Sequence, residues 1–227
     1  MYYCLSPLQF SSTKAIKNLH RAWVLLAVCA FALNSAPVAD TAACGAALII
    51  VDVQKDFVDP DGRLPADSAQ AQNMIAAING ILENADTTAL EVIYIRNAFK
   101  WWQLPGNIIR RFAGMKGAEG ARPADGLVLV NDTCFTKHHF NAFTNKHLHK
   151  HLSKNGISEL YICGMYADVC VLATVKGAVK HGYRVYVIRD ALSTVTDVRL
   201  DASYEKLESV GATLLSIEEF TGKESEP

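Results

Sequence analysis

The chain has 227 residues, half of them apolar and a fifth charged, and its formal net charge is -1 at pH 7. The length suits one α/β domain with an extension, and the composition is ordinary for a globular protein that buries a full core. A nearly neutral chain offers no basic field for nucleic acid and no acidic tail for a basic partner, so we expect neither kind of partner.

The N-terminal segment differs from the rest of the chain. Residues 1–39 contain no Asp or Glu, and three basic residues precede the apolar run 23–33. Basic residues, a short apolar core and then small residues are the order of a secretory signal peptide, and the run is shorter than the ~20 apolar residues that span a bilayer. We predict a leader over residues 1–44, a secreted or periplasmic protein, and no stable membrane insertion after leader removal. A membrane anchor and an organellar transit peptide are the alternatives.

Six cysteines are present, of which Cys4 and Cys29 lie in the signal-like part of the predicted leader and Cys44 in the short linker that ends it. Cys44 and the three later cysteines, Cys134, Cys163 and Cys170, show neither the paired spacing of a metal site nor the regular spacing of a disulfide framework. We interpret Cys163 as a buried apolar side chain and leave Cys134 as either paired or free.

Beyond the leader, short apolar runs alternate with segments of helical periodicity. The predicted strands are 46–53, 92–95, 127–130, 160–164, 184–189 and 213–217. The predicted helices are 144–154, 168–181, 197–210, and one capped by Asp67 or Ser68 with Ala71, Ile75, Ile78 and Leu82 on its apolar face. This alternation predicts an α/β fold with a parallel sheet covered on both faces.

The connections contain one exceptional segment. The stretch 97–126 is too long for a plain connection, so we predict a functional loop or lid there. We assign residues 45–220 to one domain and 221–227 to a polar tail.

In open parallel sheets, sites form beyond the carboxyl ends of the strands. Asp52 ends the first predicted strand, Lys137 follows the third, and Cys170 follows the fourth at the start of a helix. These three reactive side chains are therefore expected on one rim.

Cys170 is the candidate nucleophile. Unpaired amides and the positive end of a helix favour a thiolate at that position, and the same amides can accept a developing oxyanion. The alternative is a cysteine that merely packs.

Asp52 is the candidate general base, because a partly desolvated carboxylate at a strand end has a raised pKa. The alternative is a capping or turn aspartate, an interpretation that suits Asp56, Asp59 and Asp61. Lys137 is expected to hold Asp52 and to favour the thiolate, although alone it is indistinguishable from a surface lysine.

Several segments of the chain resemble the isochorismatase-like cysteine hydrolases, a superfamily that includes nicotinamidases and N-carbamoyl amide hydrolases. Residues 52–57 resemble its first-strand motif, 137–143 its lysine motif and 164–170 its nucleophile motif. Residues 114–120 are similar to its glycine-rich loop. The resemblance covers residues 46 to about 217.

The resemblance implies a three-layer α/β/α fold with a six-stranded parallel sheet. It also implies hydrolysis of a C–N bond in a small amide or ureide through a thioester, with no cofactor. Two positions depart from the family pattern, namely Asn141 in place of a more usual serine and Ala167 in place of a threonine.

For the site, the resemblance implies a catalytic triad of Asp52, Lys137 and Cys170. It further implies a cis peptide between Met165 and Tyr166, and an oxyanion hole formed by the backbone amides of Tyr166 and Cys170.

Histidines bear on the question of a metal. The nicotinamidase branch holds a divalent metal through histidines placed between the first and third strands, and this chain has none between His20 and His138. We therefore expect no metal and no nicotinamide substrate. His147 and His151 are spaced to share a helical face that suits zinc, but we interpret them, with His149, as solvated.

The substrate pocket is harder to predict. Residues near strand ends or in the predicted lid are the candidates: Phe57, Arg96, Asn97, Trp101, Trp102, His138 and Tyr166. Aromatic side chains suit a planar or apolar group, and Arg96 suits a carboxylate. The alternative for the two tryptophans is packing on the core or a contact between subunits of a homo-oligomer, which is the assembly we expect.

Two other functions stay open. One is isochorismate cleavage, a vinyl-ether hydrolysis that in the family does not need the cysteine, so Cys170 favours amide chemistry instead. The other is a non-catalytic binding protein on the same fold, which has no need of all three triad residues. No nucleotide-binding glycine motif and no serine-hydrolase elbow follows any predicted strand.

Overall fold

The computed structural model describes residues 45–84 and 90–222, so the predicted leader and all but the first two residues of the predicted tail lie outside the described residues. Six strands form one sheet in the order β3-β2-β1-β4-β5-β6, and all neighbouring strands are parallel. They are β1 Gly45–Val51, β2 Leu90–Asn97, β3 Cys134–Lys137, β4 Ile157–Met165, β5 Arg184–Ser193 and β6 Thr213–Leu215. The predicted parallel sheet is therefore confirmed.

Helices cover both faces of this sheet. They are α1 Lys55–Val58, α2 Ser68–Asn84, α3 Leu104–Ile109, α4 Lys146–Lys154, α5 Leu172–Lys180, α6 Asp197–Ser209 and α7 Ile217–Thr221. Short 3-10 turns lie at Glu119–Ala121 and Ala142–Thr144. The last helix was not predicted, and it begins where Ser216 and Glu219 form a reciprocal capping box.

The core consists of two apolar clusters, one on each face of the sheet. Alternate residues of β1 point to opposite faces, so Ile49 belongs to the cluster under α4, α5 and α6, whereas Ile50 belongs to the cluster under α2. Both residues are essentially inaccessible to solvent. This burial on two faces explains why the sequence of β1 is continuously apolar rather than alternating.

Helix α2 begins as the sequence predicts. The carboxylate of Asp67 accepts a hydrogen bond from the backbone N–H of Gln70 at 3.0 Å, which caps the helix. Ile78 and Leu82 are buried as expected, while Ile75 is only half-buried and Met74 takes the more central position.

The predicted third strand is wrong. The run 127–130 is not a strand, and its Val128, Leu129 and Val130 are exposed. The hydroxyl of Tyr94 donates to the backbone carbonyl of Val128 and accepts the backbone N–H of Val130. These backbone groups therefore bond a side chain and do not pair with a neighbouring strand. The sheet edge is β3 instead, and Lys137 is its last residue rather than a residue that follows it.

The predicted lid contains α3 and the turn Glu119–Ala121. Asp56 fastens it to the domain by accepting the N–H of Gly114 at 2.8 Å. Gly120 lies against the same carboxylate so closely that a Cβ there would be 2.1 Å from it.

Among residues 45–84 and 90–222, the structure has no helix with the length and apolar character that a membrane span requires.

Candidate active site

Asp52 directly follows β1 and is completely buried. Its φ of 56° lies in the left-handed region, which is uncommon for a residue with a side chain. Its backbone N–H donates to the carbonyl of Ile95 on β2 at 2.9 Å, which continues the strand pairing past the end of β1. The carboxylate is thereby fixed at the carboxyl edge of the sheet.

Lys137, at the end of β3, is the cation beside this carboxylate. Its Nζ lies 2.7 Å from Asp52 Oδ2, and only 1 % of the Lys137 side chain is exposed. The ammonium also donates to Asn97 Oδ1 at 2.9 Å and to the carbonyl of His139 at 3.2 Å. Three acceptors therefore match its three N–H donors, which offsets much of the cost of burying the charge.

Asn97, at the end of β2, links the Asp52–Lys137 pair to Cys170. Its Nδ2 donates to Asp52 Oδ2 at 2.6 Å and lies 3.8 Å from Cys170 Sγ. The fully buried Gln54 holds the backbone of Asn97 with two hydrogen bonds of 2.8 and 3.0 Å. Gln54 was not singled out from the sequence, although its place two residues after Asp52 within the first-strand motif was a signal.

Cys170 lies in a π-helical turn, Ala167–Val171, that leads into α5. This turn follows the Met165–Tyr166 peptide, which is cis. Gly164 permits β4 to approach β1 here, since a Cβ on it would lie 2.2 Å from the carbonyl oxygen of Val51. The thiol is thus brought beside the carboxyl end of β1.

The surroundings of Cys170 favour the neutral thiol over the thiolate. Burial, reinforced by the negative charge of Asp52, raises the pKa of Cys170 to about 12, and Lys137 offsets only part of this. Burial and Asp52 thus oppose the predicted stabilisation of a thiolate by the helix N-terminus. Burial likewise raises the pKa of Asp52 while Lys137 lowers it. Asp52 Oδ1 is buried and has no hydrogen-bond partner among the described residues, which leaves it free to receive a proton.

A cavity of about 230 Å³ opens onto this cysteine. Of the predicted pocket residues, Phe57, Asn97 and Tyr166 line it. The rings of Phe57 and Tyr166 pack edge to face with their centroids 5.8 Å apart, and the Tyr166 hydroxyl donates to the carbonyl of Leu64. The remaining lining residues are Leu64, Phe99, Ile109, Arg110, Phe140, Val169, Cys170, Val195 and Arg199.

Four predicted pocket residues lie elsewhere. Arg96 and Asn97 are adjacent in β2 and point to opposite faces, so Arg96 reaches Cys134 Sγ at 3.0 Å and lines a separate cavity of about 160 Å³. Trp101 and Trp102 are 70 % and 58 % exposed and pack on each other. His138 faces the carbonyl of Ala98, 2.6 Å from its Nδ1.

The cavity instead contains two arginines that were not predicted, Arg110 and Arg199. Arg110 follows α3, and its guanidinium lies 3.7 Å above the ring of Phe99. Arg199, on α6, donates to Asp168 through its Nε at 2.7 Å. No local pattern marks either residue, because both reach the cavity through the folding of distant segments.

In the histidine-rich stretch, His147 is exposed as expected, whereas His149 and His151 are half-buried and make contacts instead of being solvated. His149 bonds the Tyr183 hydroxyl at 2.8 Å and stacks on His181, and His151 contacts Glu91. In the part of the chain that the structure describes, no three His, Cys, Asp or Glu side chains are grouped so that they can hold a metal ion.

Comparison with known proteins assigns this chain to a family. A model described as the isochorismatase domain matches residues 46–219. The chain is 32 % identical over 154 residues to the uncharacterized isochorismatase family protein YddQ of Bacillus subtilis, covering 66 % of this chain and 78 % of that one. It is 26 % identical over 171 residues to the ureidoacrylate amidohydrolase RutB of Caulobacter segnis, covering 64 % and 71 %.

Solved structures give the same result for the fold. An isochorismatase-like hydrolase from Alkaliphilus metalliredigens superposes with a TM-score of 0.72 at 19 % identity, covering 78 % of this chain and 98 % of the other. The N-carbamoylsarcosine amidase from Thermoplasma acidophilum superposes with a TM-score of 0.66 at 26 % identity, covering 81 % and 99 %. The six-stranded α/β/α architecture is thus the one expected from the sequence motifs.

Proposed function

Since this chain belongs to the isochorismatase family, we propose that it is a cysteine-dependent hydrolase that cleaves a C–N bond in a small amide or ureide through a thioester. One observation carries the proposal: Cys170 opens onto the 230 Å³ cavity while the buried Asp52–Lys137 pair lies beside it. The names of two relatives, an amidohydrolase and an amidase, support this reaction class.

In the first half-reaction, Sγ of Cys170 attacks the carbonyl carbon while Asp52 accepts the thiol proton. A thiol with a pKa of about 12 is a poor nucleophile at neutral pH, so proton transfer to Asp52 has to accompany the attack. The backbone N–H groups of Tyr166 and Cys170 are the proposed donors to the oxyanion. The C–N bond then breaks, and the leaving nitrogen takes the proton from Asp52.

In the second half-reaction, Asp52 deprotonates a water molecule that attacks the thioester carbonyl. The C–S bond breaks, Cys170 recovers its proton, and an acid is released. Lys137 favours the ionised form of Asp52 between these steps, since its charge opposes the larger effect of burial on the pKa of Asp52.

The test is ammonia release from a panel of small amides and ureides. Cys170→Ala should lose turnover by about 10³-fold or more, because no other group replaces the nucleophile, while the fold is retained. Cys134→Ala is the matched control, since that half-buried thiol lines the separate cavity with Arg96. Undiminished ammonia release from Cys170→Ala would contradict the proposed mechanism.

A further inference from the structure

The cavity beside Cys170 has an unusual charge balance. Most of its wall is aromatic or aliphatic, yet two arginines, Arg110 and Arg199, also line it. A charged group in an apolar wall is costly unless an anion faces it. The partners of the two arginines therefore indicate what kind of substrate the cavity accepts.

Arg199 already has its anion. Its Nε donates to Oδ2 of Asp168 at 2.7 Å, and Thr194 Oγ1 donates to the other carboxylate oxygen at 2.7 Å. This ion pair is complete within the protein, so Arg199 has little charge left to offer a ligand.

Arg110 differs from Arg199 because its charge is not balanced. Among residues 45–84 and 90–222, no carboxylate oxygen forms a salt bridge with it. Its only described side-chain hydrogen bond is from Nη2 to Oδ1 of the fully buried Asn107, and its Nε is buried without a partner. Burial lowers the pKa of Arg110, which is the direction expected for a guanidinium that forms no salt bridge with a described carboxylate.

The position of Arg110 is nevertheless well defined. Asn107 fixes one end of the guanidinium, and Phe99 supports its plane at 3.7 Å. Gly106 leaves the space that the group occupies, because a Cβ at Gly106 would lie 2.6 Å from Nη1. A planar cation held in this way matches the two oxygens of a carboxylate.

We propose that Arg110 binds a carboxylate of the substrate, so that the amide or ureide cleaved at Cys170 belongs to a small carboxylic acid. The inference rests on the proposed function and adds the charge of the substrate to it. A single unbalanced guanidinium suits a monoanion better than a phosphate dianion. A cavity of about 230 Å³ restricts the ligand to a small molecule.

Binding to the Cys170→Ala protein tests this charge preference without turnover. The probes are two matched pairs, succinamate with succinamide and N-carbamoyl-β-alanine with its neutral amide, measured by isothermal titration calorimetry. We expect the anionic member of a pair to bind about 10-fold or more tightly than the neutral one. That preference should disappear in Cys170→Ala/Arg110→Gln and persist in part in Cys170→Ala/Arg110→Lys, which keeps the charge but not the planar fork.

The control is Arg111→Gln in the same background, because Arg111 is adjacent, exposed and absent from the cavity wall. A guanidinium that serves only to stack on Phe99 would lower the melting temperature when replaced but would leave the charge preference intact. Equal affinities within both pairs, or no binding of any probe, would overturn the inference. The proposed function fails by a different result, namely equal hydrolysis by the wild-type and Cys170→Ala proteins.

Discussion

At the scale of single residues, Cys170 and Asp52 depend on each other for the proposed chemistry. The same carboxylate that raises the pKa of the thiol is the group that can remove its proton. In the proposed chemistry, nucleophile and base are therefore activated together as a substrate carbonyl arrives. This arrangement contrasts with a cysteine that is held permanently as thiolate by a cation.

Replacement of Asp52 separates the two effects. Asp52→Asn removes the negative charge that opposes ionisation, so the pKa of Cys170 should fall, while hydrolysis should fall by about 10²- to 10⁴-fold because the base is lost. Peptide-resolved iodoacetamide alkylation as a function of pH measures the first effect, and ammonia release measures the second. Alkylation of Cys134 in the same samples is the internal control. A variant with a lowered thiol pKa and full activity would show that Asp52 is not the base.

At the scale of elements, strand ends and one fastened connection form the site. β1, β2 and β3 are adjacent and parallel, so their carboxyl ends bring Asp52, Asn97 and Lys137 to one edge. The lid that carries Arg110 is joined to this edge through Asp56, which bonds Gly114 and contacts Gly120. Asp56 is therefore not the capping or turn residue expected from the sequence, since it lies within α1 and its buried carboxylate bonds a distant segment.

A substitution at Gly120 tests how closely the lid packs against the Asp56 carboxylate. Gly120→Ala would place a Cβ against the Asp56 carboxylate, which is 5 % exposed and cannot move without losing Gly114. We expect the free energy of unfolding to fall by about 1–3 kcal/mol, as measured by urea denaturation.

Gly126→Ala is the matched control, since a Cβ there meets nothing closer than 3.7 Å and the change should be nearly neutral. Equal stability of the Gly120→Ala and wild-type proteins would contradict the tight contact.

At the scale of the whole molecule, the boundary of the domain bears on the proposed leader. β1 is a central strand, and the N–H of its first residue, Gly45, donates to the carbonyl of Gly156 at 3.2 Å. Removal of residues downstream of Gly45 would therefore take away part of the core, whereas β1 to β6 all lie beyond residue 44.

For export, we propose a mature N-terminus between Ala36 and Gly45. The acid-free leader motivates this proposal, and the position of β1 sets its downstream limit. N-terminal sequencing of protein from fractionated native cells measures it. A soluble cytosolic species that retains Met1 would refute export and leave the catalytic proposal untouched.

The sequence by itself determined the parallel α/β fold and the convergence of Asp52, Lys137 and Cys170. Both follow from local information, since apolar runs mark buried strands and a reactive residue just past a strand falls on the carboxyl edge. The edge strand was misplaced because apolarity alone does not distinguish an unpaired run, 127–130, from the short half-buried β3.

Only the tertiary structure decided the environment of these groups. Whether Cys170 is a thiol depends on its burial beside Asp52, which opposes the helix N-terminus from which a thiolate was predicted. Arg110 lines the cavity beside Cys170 because of the packing of α3, whereas the pleat of β2 directs Arg96 away from it, towards Cys134. Such contacts join residues far apart in the chain, so no local pattern in the sequence carries them.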